Sequence, residues 1–390
     1  MARWTWFAMV VGLAVGDPFA WESYHRTEDI VGWLELASVQ HPKRLKLDKI
    51  KVEGDPLVLP VVTITDYEAS QAEKVDVMLV FGEHARELIS AEVGLWLVRT
   101  LLRESDAIEE GNEVSDALGR FFPKGNRPDS FGTWADALLK HVKFTIVPVE
   151  NPSMRQAVEK GEYCLRGNAK GMDLNRNWPF HWDNTTTSGP APLSEAESRI
   201  ILKVAKGLPN LQAYVAVHSG EYAVYYPWDH TMVEPTGIPA RMGELMSSLS
   251  KQCGCNTGPG GKTATYLAFG TSMDYFFEEL KVPYSLTFEV YGRSGDGLQA
   301  QSSWPVSGKT DARVSGKERC LFEFNPDSEQ MYKEVVVRWV ASLLKVADHV
   351  AREAPSGVYM QKPFSTGEYP ATWGSVLGTF RSARGTARCT

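Results

Sequence analysis

The chain has 390 residues, 43% of them hydrophobic and 23% charged, with a formal net charge of −7. That mixture belongs to a globular protein and excludes a wholly disordered chain or a multi-spanning membrane protein. The acidic balance argues against nucleic acid or anionic lipid as a general partner, although a local pocket can carry either sign.

The first segment reads as an export signal. Arg3 supplies a positive charge, an apolar run follows over residues 4–15, and Ala14-Val15-Gly16 offers small residues at a cleavage site. The run is shorter than the roughly 20 residues a bilayer span needs, so no stable membrane insertion is expected. The expectation is a signal peptide over residues 1–16, with cleavage after Gly16 or, as second choice, after Ala20. The mature protein would then be secreted or lie in a secretory lumen, extracellular or vacuolar. Export makes disulfides possible among Cys164, Cys253, Cys255, Cys320 and Cys389. Cys253 and Cys255 are expected not to pair, because so short a loop restricts the bond geometry. Asn184-Thr185-Thr186 is a glycosylation sequon if export holds.

Further along, residues 57–65, 75–81, 142–149, 213–217 and 285–288 read as strands, and 87–102 and 330–350 have helical spacing of apolar residues. Strands alternating with helices predict an α/β fold: a mixed, mostly parallel twisted sheet with helices on both faces. Residues 104–133 look like a surface insertion, and residues 353–390 like a flexible tail.

The most informative segment runs from Val75 to Glu87. A buried strand ends at Gly82, and His84 and Glu87, three apart, project together where a helix begins. An imidazole and a carboxylate held together suit zinc, which takes nitrogen and oxygen ligands near ~2 Å. A His-x-x-Glu alone is more often a surface ion pair. A catalytic zinc needs a third protein ligand and an open position. His218 ends another apolar strand and is the leading candidate, with His181 and His230 as rivals. In open α/β sheets, sites form outside the carboxyl ends of strands, which puts His84 and His218 on one edge. Glu289 closes a third strand, Tyr284-Ser285-Leu286-Thr287-Phe288-Glu289, and is either a general base for water or a solvated cap.

The Gly-rich stretch from Arg166 to Pro179 carries Arg166, Asn175 and Arg176, which can hold a carboxylate by bidentate hydrogen bonds. Asp173 can hold a ligand imidazole through its second nitrogen. The bland alternative is a turn with solvated charges. His-Glu-x-x-His does not occur, which sets aside the thermolysin-like endopeptidase pattern.

Taken in order, His84-x-x-Glu87, Asp173-x-Asn175-Arg176-Asn177, His218-Ser219 and Thr287-Phe288-Glu289 make the chain resemble the zinc carboxypeptidase family, from about Tyr24 to Arg352. The resemblance implies one Zn2+ per chain on His84, Glu87 and His218, with Asp173 behind the first histidine. It implies Glu289 as general base and Arg166 beside the developing oxyanion. Asn175 and Arg176 would hold the C-terminal carboxylate of a peptide or protein, Tyr266 would close over the bound residue, and Arg86 would line the next subsite. A catalytic domain over residues 24–352, acting as a monomer, follows from the same likeness.

The chain departs from both well-known branches. Too few residues precede Tyr24 for the folded prosegment of digestive members. The nine-residue step from Arg166 to Asn175 is similar to the regulatory branch, yet too few residues follow Arg352 for its added β-sandwich. Plain single-domain relatives of plants, algae and protists are the better match. Asp229, in Tyr226-Pro227-Trp228-Asp229, matches an acid that pairs with C-terminal Lys or Arg in regulatory members; Met273 matches the pocket floor of digestive ones. The expected activity is a zinc carboxypeptidase with a modest preference for C-terminal Lys or Arg. An apolar preference, a cell-wall peptidase and an inactive peptide-binding homologue are the alternatives. In the bland reading, Asp229 only caps the turn after it.

Overall fold

A computed structural model describes residues 21–103, 131–264, 266–292 and 316–353. The expected signal peptide, the tail from residue 354 and residues 104–130 of the expected insertion lie outside these. Eight strands form one sheet in the order β1-β2-β4-β3-β5-β8-β6-β7. They are β1 (Leu45–Ile50), β2 (Leu59–Ile64), β3 (Val75–Phe81), β4 (Val142–Val147), β5 (Leu211–His218), β6 (Tyr222–Tyr226), β7 (Asn256–Pro259) and β8 (Tyr284–Val290). β4, β3, β5 and β8 run parallel, as do β6 and β7; β1, β2 and the β6–β8 pair are antiparallel. The described helices are α1 (Thr27–Gln40), α2 (Leu88–Leu102), α3 (Phe131–His141), α4 (Pro152–Val158), α5 (Ala196–Lys206), α6 (Met242–Cys253), α7 (Gly260–Thr263), α8 (Ser272–Glu278), α9 (Gly316–Phe324) and α10 (Glu329–Glu353).

The central strands are largely apolar and buried because both faces are covered. In β3, Val77, Leu79 and Phe81 join one core, while Met78 and Val80 join the other. β5 repeats the division, with Ala213, Val215 and Val217 on the first face and Tyr214 and Ala216 on the second. Helices α1, α2, α6 and α10 close the first face; α5 and α8 close the second. Each large aliphatic side chain so buried contributes about 1.5–3 kcal/mol. In α10, Tyr332, Val335, Val336, Trp339, Val340, Leu343 and Val350 recur at helical spacing and are buried. Gly94 in α2 lies flat on Phe81; a Cβ there would stand 2.9 Å from the ring, so the contact that seats α2 over the end of β3 needs glycine.

The expected parallel centre is present, and β3 has the bounds its apolar run predicts. The antiparallel margin β1 and the short β6 and β7 were not read from the sequence. Glu87 stands just outside α2 as its N-terminal flank, so His84 and Glu87 share a turn before the helix. Residues 131–133, read as the end of the insertion, open α3.

One expectation is overturned. Cys253 and Cys255 are disulfide-bonded, with their Cα atoms 5.1 Å apart. Between them Gly254 adopts φ +64°, the left-handed conformation that ends α6 and doubles the chain back. The expectation weighed loop length and overlooked that glycine. Cys164 and Cys320 form a second bridge, Cα to Cα 5.2 Å. Cys389 lies outside the described residues.

Candidate active site

Gly82 ends β3 at φ +65°, and beside it β4's continuation binds back through Glu150 and Asn151. This turn lifts His84 and Glu87 above the carboxyl edge of the sheet, where His218 ends β5. His84 Nδ1 lies 2.8 Å from Glu87 Oε1, His218 Nδ1 lies 3.2 Å from Glu87 Oε2, and the two Nδ1 atoms face each other at 3.1 Å. All three side chains are buried. Two ring nitrogens opposed this closely beside a carboxylate are a donor set with one centre. Two imidazoles and one carboxylate are a donor set that fits zinc. Burial would raise the Glu87 carboxyl, but the two imidazoles outweigh it and hold it far below the usual range. Burial would lower His218, but Glu83 and Glu87 outweigh it and hold it well above the usual histidine range.

A second tier orients these groups. Asp173 Oδ1 stands 3.1 Å from His84 Nε2 and accepts from the Asn175 amide at 3.1 Å; Oδ2 accepts from Arg166 Nε at 2.8 Å. Arg166 NH1 is 3.6 Å from Glu87 Oε1. Burial opposes the Asp173 charge, yet Arg166 and His84 hold its carboxyl well below the usual range. Burial likewise opposes the Arg166 charge, and Asp173 and Glu87 more than offset it.

Asn175 Oδ1 accepts from the Ser272 amide at 2.9 Å, which fixes the side-chain amide with its NH2 as the remaining donor. Arg176 donates to the Asn175 carbonyl at 2.7 Å, and its guanidinium lies 5.9 Å from the Tyr266 ring centre. Tyr266 is 57% exposed. Arg86 rests on the Phe324 ring at 3.9 Å, and burial lowers its pKa.

Glu289 pairs in register with His218 on the neighbouring strand. Its Oε2 accepts from the Glu221 amide at 3.3 Å. Burial pushes its carboxyl up to about 8, opposed by His218 and reinforced by Glu87 and Glu221. A cation nearby would draw it down again.

Asp274 accepts from the Asp229 amide at 2.9 Å, the His230 amide at 3.2 Å and His230 Nδ1 at 2.7 Å. Asp274, on α8, thus satisfies the turn that the bland reading gave to Asp229. The Asp229 carboxylate lies against backbone: a Cβ on Gly260 would stand 2.1 Å from Oδ1. Burial pushes Asp229 up to about 7, helped by Asp274 and opposed first by a hydrogen bond with the Thr271 side chain and then by Arg176 and His218. Met273 is fully buried against Ala223 and Tyr225. The rival histidines lie together elsewhere: His181 and His230 stack with ring centres 3.8 Å apart, beside Phe180.

Residues 30–304 match the family described as zinc carboxypeptidase. The chain belongs to that family. Zinc carboxypeptidase A 1 of Anopheles gambiae is 28% identical over 302 residues, 72% of this chain and 63% of that protein. Carboxypeptidase A5 of Homo sapiens is 22% identical over 310 residues, 75% of this chain and 66% of that one. Carboxypeptidase B of Astacus astacus is 23% identical over 293 residues, 69% and 87%. The chain thus spans 63% and 66% of the length of the first two of these relatives. The crystal structure of thrombin activatable fibrinolysis inhibitor superposes with TM-score 0.61 at 21% identity, covering 84% of this chain and 75% of that one. Carboxypeptidase A from Helicoverpa armigera follows at 0.54 and 18%, covering 82% and 74%. At these identities the structural likeness speaks for the fold.

The sequence reading did not single out Glu83, Glu221 or Asp274. For Glu83 a signal existed: an acid directly after a buried strand and directly before the first histidine. Nothing local marks Glu221 or Asp274. Purified protein freed of metal should take up one zinc per chain, and His84→Ala or His218→Ala should each abolish that uptake, because two ligands hold a catalytic zinc poorly. Zinc content measured by atomic absorption after dialysis checks this; full occupancy in either variant would remove that histidine from the donor set.

Proposed function

We propose that the chain is a metallocarboxypeptidase, hydrolysing the last peptide bond of peptides and proteins, with a preference for C-terminal Lys and Arg. The observation that carries this reading is the convergence of His84 Nδ1, His218 Nδ1 and the Glu87 carboxylate, with Glu289 paired to His218 on the next strand. His84, Glu87 and His218 are the residues that would hold zinc, with Asp173 fixing the first imidazole. Zinc, when bound, supplies Lewis acidity to the scissile carbonyl and to water.

The other steps fall to the chain's own residues. Asn175 and Arg176 bind the free carboxylate of the substrate, so that only a chain end is accepted. Tyr266 closes over the bound residue, and Arg86 meets the residue before it. Glu289 takes the proton from the attacking water and later delivers it to the leaving amine. Arg166, steered by Asp173, offsets the charge that develops on the carbonyl oxygen. Glu289→Gln should keep the fold and the zinc and lose about 10²–10⁴-fold in kcat. Near-normal turnover of a blocked dipeptide by that variant would reassign the base, and a wild-type chain that binds zinc yet cleaves no peptide would favour the inactive, peptide-binding reading.

The basic preference rests on Asp229, a cleft carboxylate whose own turn is capped by Asp274. The competing apolar pocket has Met273 in its favour, fully buried beside Ala223 and Tyr225. Asp229→Ala should lower kcat/KM for Lys-ended peptides at least about tenfold, since a charged hydrogen bond contributes about 1.5–3 kcal/mol. The pH sign follows from burial. With its carboxyl pushed up to about 7, Asp229 loses its charge progressively as the pH falls through that value, and a cationic side chain favours the ionised form. The ratio of kcat/KM for Lys-ended over Phe-ended peptides should therefore fall as pH drops from about 8 to about 5.5. The ratio cancels groups common to both substrates. A flat ratio, or equal losses on both substrates in Asp229→Ala, would favour the pocket built on Met273.

Secretion belongs to the same reading, supported by the apolar run over residues 4–15 and by the two disulfides. No described helix is long and apolar enough to cross a membrane. Protein from its native host should begin near Asp17 or Trp21 on N-terminal sequencing; an intact Met1 would refute export by a cleaved signal.

A further inference from the structure

Each candidate ligand histidine has a second nitrogen pointing away from the donor centre. For His84 the partner of that nitrogen is Asp173, already in the site described. For His218 it is Glu83. His218 Nε2 lies 3.0 Å from Glu83 Oε2, while His218 Nδ1 faces His84 and Glu87. Glu83 and His218 are 3% and 2% exposed, so neither group can turn to water instead. Their approach is an ion-pair contact, not an aligned hydrogen bond, and neither atom has a hydrogen-bonding partner among the described residues. Glu150 is buried nearby; burial, then Glu83 and Glu197, push its carboxyl well above the usual range, opposed by His218.

Glu83 also competes with Glu87 as a ligand on distance alone, because donor atoms of Glu83, His84 and His218 lie within 4.8 Å of one another. Direction decides between them. Glu87 reaches Nδ1 of both histidines, at 2.8 and 3.2 Å. Glu83 meets the opposite nitrogen of His218, and one imidazole cannot turn both nitrogens to one ion.

We infer that Glu83 is a positioning residue for the metal centre: its buried carboxylate holds the Nε2–H of His218, fixing the ring and the tautomer that presents the Nδ1 lone pair to the metal. A carboxylate on the outer nitrogen also makes the inner nitrogen a stronger donor. The inference rests on the reading of the site as a zinc centre, and the two fail separately.

The experiment is a competition titration of zinc against a chromophoric chelator, with wild type, Glu83→Gln, Glu83→Ala and His218→Ala. Wild type should bind one zinc and His218→Ala none; wild type that binds no zinc defeats the zinc reading itself. Glu83→Ala should weaken zinc about 10–100-fold, as loss of such outer partners does. Glu83→Gln should weaken it less, because its amide oxygen still accepts from Nε2–H without the charge. Circular dichroism of the metal-free variants separates this from unfolding. In zinc-loaded wild type, the Nε2 proton of His218 should appear in a nitrogen-correlated NMR spectrum as a slowly exchanging N–H, a readout that needs no variant. Zinc affinity within about twofold of wild type in both folded Glu83 variants would overturn the inference, since such outer partners are worth about tenfold or more. So would the missing proton. A second zinc in wild type that Glu83→Gln loses would make Glu83 a ligand instead, which also overturns it.

Discussion

The registration of three parallel strands sets everything else in this protein. Phe81 pairs with Val217 and His218 with Glu289, so β3, β5 and β8 end in line and their following residues meet at one edge. Strand residues alternate between faces, and a slip of one position would send each to the wrong side. Here both faces are buried, yet the slip is still costly, because each face packs a different set. Tyr214 stacks on Phe276 with ring centres 3.6 Å apart on one side, while Val215 and Val217 pack with α10 and α2 on the other. The two cores hold His218 opposite Glu289, together with the Ser219 amide donating to Glu87 and the Glu221 amide donating to Glu289.

Those charged groups are expensive where they stand. Each of Glu87, Asp173 and Glu289 is opposed by burial. Glu87 and Asp173 are kept ionised by imidazoles and by Arg166; Glu289, with weaker help, is driven toward its neutral form. The arrangement is therefore connected, not a set of separate pairs. Asp173 alone serves His84, Arg166 and the Asn175 amide. Removing one partner of such a buried network costs about 3–5 kcal/mol, because the others are left charged and unpaired. A cation at the two Nδ1 atoms completes the balance that the carboxylates begin.

The walls of the cleft are tied to the sheet by contacts far apart in sequence. The Cys164–Cys320 bridge joins the strand of chain leading into Arg166 to α9. Asn325, just after α9, accepts from the Ile89 amide and donates to the Arg86 carbonyl, at 2.9 and 2.8 Å. Phe324 carries the Arg86 guanidinium. On the other wall, Gly270 at φ +65° lets Arg176 pass close: a Cβ there would meet the Arg176 carbonyl oxygen at 2.7 Å. Arg176 and the segment bearing Gly270 are thus packed directly against each other.

The sequence by itself determined the parallel centre and pointed to the candidate site residues. β3 could be read to the residue because a strand buried on both faces is a largely apolar run, interrupted here only by Asp76, and His84, Glu87, His218 and Glu289 lie at or just beyond the carboxyl ends of such runs. The short or half-exposed strands were not legible: β6 and β7 are 5 and 4 residues long, and β1 has only Leu45 fully buried. Only the tertiary structure decided which distant polar groups share a partner. Glu83 meets His218 across 135 positions, and Asp274 takes over the turn of Asp229 across 45. It also closed Cys253 on Cys255, through a glycine conformation that spacing does not report. Periodicity records which face a residue buries; it carries no record of what lies on the other side of that face.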